Sequence, residues 1–447
     1  MRVLLVEPLG HMGGHFAAHT KYLALSLVDA GVDITLLTFD GLLGSPIGLD
    51  GKLKHISFMS KIGALAPVIR LSSNLVPSKF VRSQFDAIFS TICTFLLAYW
   101  QHRKAKYHVV HILDACMPDY TFPWFASVSH NSRLVFTLFR IYREAKLQDL
   151  RASFSDAFSK LQIAVFIQLW LSLLLGRRPA TTLKSFLRRR GAKRNRLAFI
   201  CYTSTAKNSY PDIRFYSGIT KMFLGAHLPD EHPLEKGEAR EHLGLSPGEI
   251  VLLNFGCNHI YKNFETIFEA MCDIPFNYKL VFAGRMELDS KANLPWKLAE
   301  KYNLLKSVII DDRYIHYEEV GYFFYASDAI ILSYRKDFKA GSGVLTDAAK
   351  YGIPIIASNL EDVGGTVEAY KLGLTFKAED PLSLREAILS FHALSEEDKG
   401  VIKKNLANYA QTHSWQEVAK RHIEIYEGLI KGNHPEISNT DYSGKSA

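Results

Sequence analysis

A short segment of the sequence combines features of an anion site with an acid one helical turn further on. Residues 334–358, YRKDFKAGSGVLTDAAKYGIPIIAS, lead from a strand-like apolar run into a helical pattern through Gly341, Ser342 and Gly343. The first N–H groups of a helix are unpaired and carry a partial positive charge, so small residues there let an anion approach closely. Asp347 follows one turn later. An ordinary strand-to-helix turn with a helical Asp explains the segment equally well, so the rest of the chain must decide.

A second segment supplies a cation and another small residue. In NFGCNHIYKNFETIFEA, residues 254–270, Gly256 ends a strand-like run and Lys262 stands just before a helical pattern. A Lys in that position can reach a phosphate as a flexible point charge. A lone loop Lys is usually solvated, and its pairing with Gly256 and with the small residues at 341–343 is what favours a phosphate site.

The amino-terminal part offers candidate ligand contacts of its own. Its first strand ends in EPLGHMGGHF, where Gly13 and Gly14, flanked by His15, allow close backbone approach at the carboxyl end of a parallel sheet. His111 and Asp114 lie at the end of a candidate central strand in HVVHILDACMPD and are candidates for binding ligand hydroxyls. The alternatives are a plain turn, a His satisfied in the core and an Asp that caps a loop.

Several classes of protein are disfavoured by spacing. The glycines of the first loop do not form GxGxxG and no GxxxxGK[ST] occurs, which argues against dehydrogenases and ATPases. The five cysteines form no CxxC pair and no Cys/His ligand spacing, so we expect neither a disulfide framework nor a zinc site. The start, MRVLLVEPLG, lacks the parts of a secretory signal. We therefore expect a cytoplasmic location.

Alternating strand and helix patterns must position these residues. The chain has 447 residues, 48% apolar and 22% charged, which suits two globular domains with substantial cores. Two series of short apolar runs alternate with helical patterns, which predicts an α/β protein with two Rossmann-like parallel sheets across a cleft. The predicted boundaries are 1–227 for the first domain, 228–249 for a linker, 250–414 for the second domain, 415–431 for a closing helix and 432–447 for a disordered tail.

The segment 163–196 stands out by composition. An apolar run of 13 residues, IAVFIQLWLSLLL, precedes RRPATTLKSFLRRRGAKRNR, which holds nine Lys and Arg and no acid and so carries the whole net charge of +8. A membrane span needs about 20 apolar residues, so the run is too short to cross. Peripheral attachment to an anionic membrane is one interpretation, and a core helix followed by a solvated loop is the other. Nucleic-acid binding fits poorly because the basic part has one aromatic residue, Phe186.

Four segments in order resemble the C-terminal half of retaining glycosyltransferases of the GT-B fold, family 4. They are FGCNHIYKNFETIFEA, VFAG, DRYIHYEEVGYFFYASDAIILSYRKDFKAGSGVLTDAAKYGIPIIAS and SWQEVAKRHIEIYEGL, and they cover roughly residues 250–430. The N-terminal half is similar more loosely, through the Gly13-Gly14 loop, VVHILDA and AFICYTSTAKNSY. In that family the closing helix, here Trp415 to Leu429, crosses back onto the N-terminal domain.

The resemblance implies a role for each position. The C-terminal domain would bind a nucleotide-sugar donor, a UDP- or GDP-sugar, with no separate cofactor, and the N-terminal domain a glycan or lipid-linked acceptor. Lys262 would hold the donor diphosphate and Asp347, the second acidic position of a Glu-x7-Glu motif, would bind the ribose hydroxyls. The remaining donor-side positions are Gly256, Arg313, Tyr314, Ile315, Lys339, Gly341, Ser342 and Gly343, and the acceptor-side positions are Gly13, Gly14, His15, His111 and Asp114.

The sequence departs from the family pattern at three positions. Lys339 stands at the first Glu of the motif, Cys257 where an Arg usually follows the glycine, and Phe139, followed by Arg140, where a His is expected. A donor diphosphate would therefore still contact Lys262, but it would lack the bidentate Arg partner of the family pattern. Replacement charge could come from Arg335, Lys336 or Lys339.

The resulting hypothesis is a retaining hexosyltransferase of polysaccharide or glycoconjugate biosynthesis. No DxD metal-binding triplet occurs, so we expect metal-independent transfer in which helix dipole and Lys replace a cation. Two alternatives stay open, namely a catalytically silent GT-B protein with a binding or regulatory role and a nucleotide-sugar epimerase of similar build.

Overall fold

The computed structural model describes most of the chain. The described residues are 1–8, 15–40, 53–63, 79–113, 133–138, 197–204, 219–257, 261–286 and 294–432. Several predictions lie outside these ranges, namely those for Gly13, Gly14, Asp114, Phe139, Arg140, the segment 163–196 and the tail. Within the described ranges, no helix is both long and apolar enough to cross a membrane.

The chain forms two compact units. Met1–Phe223 and Trp415–Ile437 make up the first unit, and the second contains Leu224–Ser414. The chain thus returns from the second unit to the first after Ser414, and its last described helix belongs to the first unit.

The first unit is built on a parallel sheet. Within the described residues its strands are β1 (Arg2–Glu7), β2 (Asp33–Thr38), β3 (Lys54–Ser57), β4 (Val109–Ile112), β5 (Arg133–Leu138), β6 (Leu197–Cys201) and β7 (Ile219–Lys221). They are ordered β3-β2-β1-β4-β5-β6-β7, and every pair is parallel. The helices described before Phe223 are α1 (His15–Asp29), α2 (Phe58–Ile62) and α3 (Lys79–Ala105).

The second unit repeats this plan. Its strands are β8 (Ile250–Phe255), β9 (Tyr278–Ala283), β10 (Val308–Asp311), β11 (Ala329–Leu332), β12 (Ile355–Ser358) and β13 (Gly373–Phe376), ordered β10-β9-β8-β11-β12-β13 and all parallel. Its helices are α4 (Lys236–His242), α5 (Phe264–Met271), α6 (Pro295–Lys301), α7 (Tyr317–Ala326), α8 (Gly343–Tyr351), α9 (Gly364–Tyr370), α10 (Pro381–Ala393) and α11 (Glu396–Thr412). A short 3-10 helix, Leu305–Ser307, precedes β10.

Central strands in both units are fully buried and mostly apolar. Every residue of β4, β11 and β12 is buried, and such strands are typical of parallel sheets. Two apolar clusters lie on the two faces of the second sheet, one against α7 and α8 and the other against α5 and α10.

The expected linker at 228–249 contains part of the second unit. Helix α4 lies within it, and Ala239 and Arg240 of that helix are buried. Arg240 donates to the Ala326 carbonyl at the end of α7 and to the carboxylate of Asp328, which also accepts from the Val251 N–H at 2.7 Å. This network ties the segment to the start of β8, which a composition rich in Pro, Glu and Gly did not reveal.

The last described helix, α12 (Trp415–Lys431), belongs to the first unit, where it contacts α1. Its apolar side is buried through Trp415, Val418, Ala419, His422, Ile425, Tyr426 and Leu429. At its end, Arg133 of β5 donates to the carbonyls of Leu429 and Ile430, at 2.9 and 3.2 Å. A cation at the last carbonyls satisfies unpaired acceptors and complements the helix dipole.

Both sheets reverse their strand order at one point, between β1 and β4 in the first unit and between β8 and β11 in the second. Open α/β sheets bind ligands outside the carboxyl ends of the strands at such a switch point. Most of the candidate donor residues follow β8 and β11, the two strands that flank this point in the second unit, whereas residues 313–315 follow β10.

Candidate functional site in the second unit

The carboxyl ends of β8, β9 and β10 are joined by two glycines. The Gly256 N–H donates to the Ala283 carbonyl at 2.8 Å, and the Gly284 N–H donates to the Asp311 carbonyl at 3.0 Å. Gly284 has a φ of +130°, and a Cβ built on it would lie 2.3 Å from the Gly256 carbonyl oxygen. Only glycine fits there, so Gly284 supports the backbone turn that exposes Gly256.

Lys262 lies buried beside Gly256. Its backbone forms a β-bridge with Tyr334, which follows β11, and its ammonium donates to the Phe255 carbonyl. A Cβ at Gly256 would lie 3.6 Å from the Lys262 Nζ. Burial lowers the pKa of Lys262 to about 7, with the nearby Cys257 acting in the opposite direction. A diphosphate at this point would restore the charge that burial disfavours.

The start of α8 reaches the same place. Val344, in its first turn, has its Cγ2 3.5 Å from where a Gly256 Cβ would lie. Ser342 occupies the N-cap position, but its side chain makes no capping hydrogen bond. Gly341 is partly exposed and Gly343 exposed. A helix N-terminus with small residues and no side-chain cap therefore faces the Gly256 turn, as the sequence predicts for an anion site.

Asp347 lies one turn further along α8. Burial raises the pKa of its carboxyl to about 7, and Lys350 on the same helix partly offsets the rise. The side chain keeps partial solvent exposure. A carboxyl so held is available to accept hydrogen bonds from ligand hydroxyls, and a ligand that donates them would favour its charged form.

The cationic side chains of the loop before α8 lie in two different environments. Arg335 and Lys336 both approach the carboxylate of Glu379, at 3.8 and 3.5 Å. Lys339 is exposed and forms no ion pair within the described residues. Of the three candidates for replacement charge, Lys339 is thus the one whose ammonium has no acid partner in the described part of the chain.

Residues 313–315, whose backbone the family resemblance implies would face the nucleotide base, follow β10. Arg313 makes a two-pronged hydrogen bond to Glu319, both contacts at 2.7 Å, and a further ion pair with Asp311 at 2.9 Å. The Arg313 guanidinium lowers the pKa of the Glu319 carboxyl to about 2. Tyr314 beside it is 58% exposed and Ile315 is buried. The Arg313 side chain is thus fixed by acids, and the backbone and Tyr314 are the groups left to face a ligand.

The acceptor-side prediction for His111 needs correction. The side chain is fully buried, and its two ring nitrogens are hydrogen-bonded to the hydroxyls of Tyr426 (2.7 Å) and Thr137 (2.8 Å). The alternative of a His satisfied in the core describes it, because both of its polar atoms are used inside the first unit. His15 is the first residue of α1, and its side chain lies outside the described part.

Tyr334 and Gly284 support the site although sequence reasoning did not select them. Tyr334 stacks on Phe338 with ring centroids 4.1 Å apart, and Tyr261 lies 5.1 Å from the Phe338 ring. This aromatic cluster packs the loop before α8 against the residue that precedes Lys262. The signal for Gly284 was present, since it ends the strand-like run VFAG, whereas an aromatic residue after a strand carries no distinctive pattern.

Comparisons with known proteins show a family match in the second unit. Residues 235–409 match the family described as "Glycosyl transferases group 1", a stretch that lies within the second unit. No curated protein is significantly similar to the chain in sequence.

Solved structures extend the likeness to both units. Sucrose-phosphate synthase from Thermosynechococcus elongatus aligns with 97% of this chain and 100% of its own at 18% identity and a TM-score of 0.60. WaaG, a glycosyltransferase involved in lipopolysaccharide biosynthesis, aligns over 96% and 100% at 12% identity and 0.62. Anabaena HepE in complex with UDP-glucose aligns over 96% and 100% at 14% identity and 0.59. Identities this low show the fold alone. The chain thus has the GT-B fold with two Rossmann-like units, and its residues 235–409 match the group 1 glycosyl transferases.

Proposed function

We propose that the protein is a glycosyltransferase that moves a sugar from a nucleotide-sugar donor bound in the second unit. The observation that carries the proposal is the convergence of Gly256, the buried Lys262 and the uncapped start of α8 at the switch point of the second sheet. The match of residues 235–409 to group 1 glycosyl transferases supports it, and HepE was solved with UDP-glucose.

Each group of this site suits one part of such a donor. The Lys262 ammonium and the first N–H groups of α8 suit the diphosphate, and together they would stabilise the charge that develops as the diphosphate departs. The Asp347 carboxyl suits the ribose hydroxyls. The exposed Tyr314 and the backbone next to it suit the base.

We further propose that transfer proceeds with retention and without a metal ion. The leaving phosphate of the donor can accept the acceptor proton in a front-side displacement, so the protein need supply neither nucleophile nor paired carboxylates. Lys262 and the α8 N-terminus offer the positive charge. Activity that disappears with EDTA and returns with Mn²⁺ or Mg²⁺ would contradict the metal-independent part, and NMR of the anomeric proton of the product would test retention.

For the acceptor we propose a glycan or a lipid-linked sugar at the cytoplasmic face of a membrane, which would serve the assembly of a polysaccharide or glycoconjugate. Support comes from composition, since segment 163–196 joins an apolar run to nine basic residues and the five cysteines show no disulfide pattern. Co-sedimentation with anionic and neutral vesicles tests the membrane contact. The idea fails if neither kind of vesicle retains the protein.

The deciding experiment combines binding and turnover. Thermal shift against UDP, GDP and ADP should identify the base, because a ligand at 100 times its Kd adds about 2.7 kcal/mol of stability. Release of that nucleoside diphosphate from its sugar conjugates should then depend on an added glycan acceptor. Binding without turnover would favour a silent regulatory protein, an interpretation that Lys339 and Cys257 keep open. An isomerised donor without any acceptor would indicate an epimerase.

A further inference from the structure

The residue at the N-cap of α8 is turned away from the helix it should cap. Serine is among the best N-cap residues because its oxygen accepts a hydrogen bond from the second or third N–H of the helix. Ser342 holds that position, but its hydroxyl is hydrogen-bonded to the Tyr334 hydroxyl at 2.8 Å and makes no cap bond. Both side chains are buried.

This diversion leaves donors at the helix start. The Leu345 N–H reaches the Ser342 carbonyl at 3.2 Å. The N–H groups of Gly343 and Val344 have no acceptor within the described residues, and Val344 is the residue whose side chain lies against the Gly256 turn. An N–H that a serine cap would occupy is thus left open beside Lys262.

Tyr334 is itself held in place from several sides. Its N–H donates to the Ser358 hydroxyl at 2.9 Å, and that hydroxyl also lies 3.0 Å from the Tyr334 carbonyl oxygen. Its ring stacks on Phe338 at 4.1 Å with planes 10° apart, and its backbone bridges to Lys262. A side chain fixed in this way can impose one orientation on Ser342.

We propose that Tyr334 is a positioning residue for the donor site, which keeps Ser342 from capping α8 so that the first N–H groups of the helix are free to bind the donor diphosphate. This inference rests on the proposed function for the ligand's identity. The orientation of the helix start itself does not depend on it.

Three variants separate this role from simple packing. Tyr334→Phe keeps the ring and removes the hydroxyl, so Ser342 is released to cap α8 and to compete with the ligand. A cap bond contributes about 1 kcal/mol, so the Kd for the nucleoside diphosphate should rise about fivefold. Ser342→Ala removes the cap oxygen, so its Kd is the reference for the effect of Tyr334 when no cap can form. The double variant Tyr334→Phe/Ser342→Ala should bind as tightly as Ser342→Ala, whereas a structural defect of Tyr334→Phe would weaken binding in both backgrounds.

The probe is whichever of UDP, GDP and ADP binds the wild type, measured by calorimetry, with the matching nucleoside as the phosphate-free control whose Kd should not change. Tyr278→Phe is a matched variant, since this Tyr of the second unit donates its hydroxyl to the Met271 carbonyl at 2.9 Å and should leave affinity unchanged. A Tyr334→Phe variant with unaltered affinity, or a double variant no better than Tyr334→Phe, would overturn the proposal.

Hydrogen exchange separates failure of this inference from failure of the proposed function. In Tyr334→Phe, without any ligand, the Val344 or Leu345 amide should gain protection, and in the double variant that gain should vanish. If the wild type binds no nucleoside diphosphate, the proposed function fails and the exchange pattern alone decides the role of Tyr334. If protection is the same in all forms, Ser342 is not released and the inference fails.

Discussion

The two units place different chemistry at the same point of the same topology. Each sheet reverses its order between two central strands. In the second unit this point is followed by Gly256, the buried Lys262 and the uncapped start of α8. In the first unit the corresponding strand β4 carries His111, whose two ring nitrogens are satisfied by Tyr426 of α12 and by Thr137.

The buried titratable groups of the two regions differ in what they can still bind. Lys262 and Asp347 have pKa values near 7, so a ligand of the right charge can change their protonation at neutral pH. The pKa of His111 lies well below its usual value because of burial and of the nearby His422 and His19. A neutral imidazole saturated by hydroxyls holds a helix in place. The same topological position thus carries the groups that we propose bind the donor in the second unit and the helix-docking histidine in the first.

The largest effect should come from Lys262. We expect Lys262→Ala to lower kcat/KM for the donor by about 100-fold or more, because the variant loses the cation at the departing diphosphate. Because Lys262→Ala also loses the hydrogen bond to the Phe255 carbonyl, thermal unfolding of the unliganded variant should be measured beside its kinetics. Lys404→Ala, an exposed Lys on α11, is the matched control and should keep wild-type kinetics. Equal activity of the two variants would remove the phosphate role of Lys262.

Low pH should destabilise the first unit through protonation of His422. Burial lowers the pKa of this side chain to about 4, its Nδ1 lies 2.7 Å from the Val418 carbonyl, and its Nε2 has no partner among the described residues. The pKa of a histidine in the unfolded chain is about 6.5. The stability that depends on a neutral His422 is therefore fully present above about pH 6.5 and is lost as the pH falls towards 4.

Between pH 7 and 4.5 this histidine should contribute about 2 kcal/mol to the loss of unfolding free energy. His422→Leu should therefore show a shallower decline over that interval, measured by urea unfolding at both pH values. His111 lies against His422 and its pKa is also lowered by burial, so some decline should remain. A decline as steep as the wild type's would show that His422 does not stay neutral in the fold.

Asp347 should have a smaller effect on donor binding. We expect Asp347→Asn to raise the donor Kd about tenfold, since a neutral amide accepts weaker hydrogen bonds from ribose hydroxyls than a carboxylate does. Binding of inorganic pyrophosphate should hardly change.

Asp347→Asn also tests which group makes donor affinity depend on pH. Donor affinity in the wild type should fall below about pH 7 as Asp347 gains a proton and above it as Lys262 loses one, because burial moves both pKa values there. Asp347→Asn should lose the acid limb only. Calorimetry from pH 5.5 to 8.5 checks this, and an unchanged acid limb would assign it to another group.

Much of the second unit could be predicted from the sequence because its signals are local. Gly341, Ser342 and Gly343 before a helical pattern, and Lys262 before another, are adjacent in the chain to the elements that display them. The fold class followed from two series of apolar runs, since parallel strands covered on both faces must be continuously apolar.

The Tyr334 to Ser342 contact could not be predicted, and neither could the choice between a core role and a ligand role for His111. The first depends on a side-chain orientation that no residue pattern encodes. The second depends on Tyr426, which lies 315 positions along the chain from His111, so only the docking of α12 brings them together. When the role of a residue depends on such a remote partner, the spacing of residues in the sequence cannot show whether it binds a ligand or belongs to the core.

The smallest effect on donor binding is expected from the histidine region of the first unit, which should have a structural role alone. Tyr426→Phe removes the hydroxyl that satisfies His111 and leaves a buried ring nitrogen unpaired, which should cost about 1–2 kcal/mol of unfolding free energy. Tyr107→Phe is the matched control, because this buried Tyr next to β4 has no hydroxyl hydrogen bond within the described residues, and it should cost little. Both variants should keep the wild-type Kd for the donor, since both residues belong to the first unit. If Tyr426→Phe weakened donor binding while Tyr107→Phe did not, the division between a docking region and a ligand region would be wrong, and α12 would couple the two units energetically.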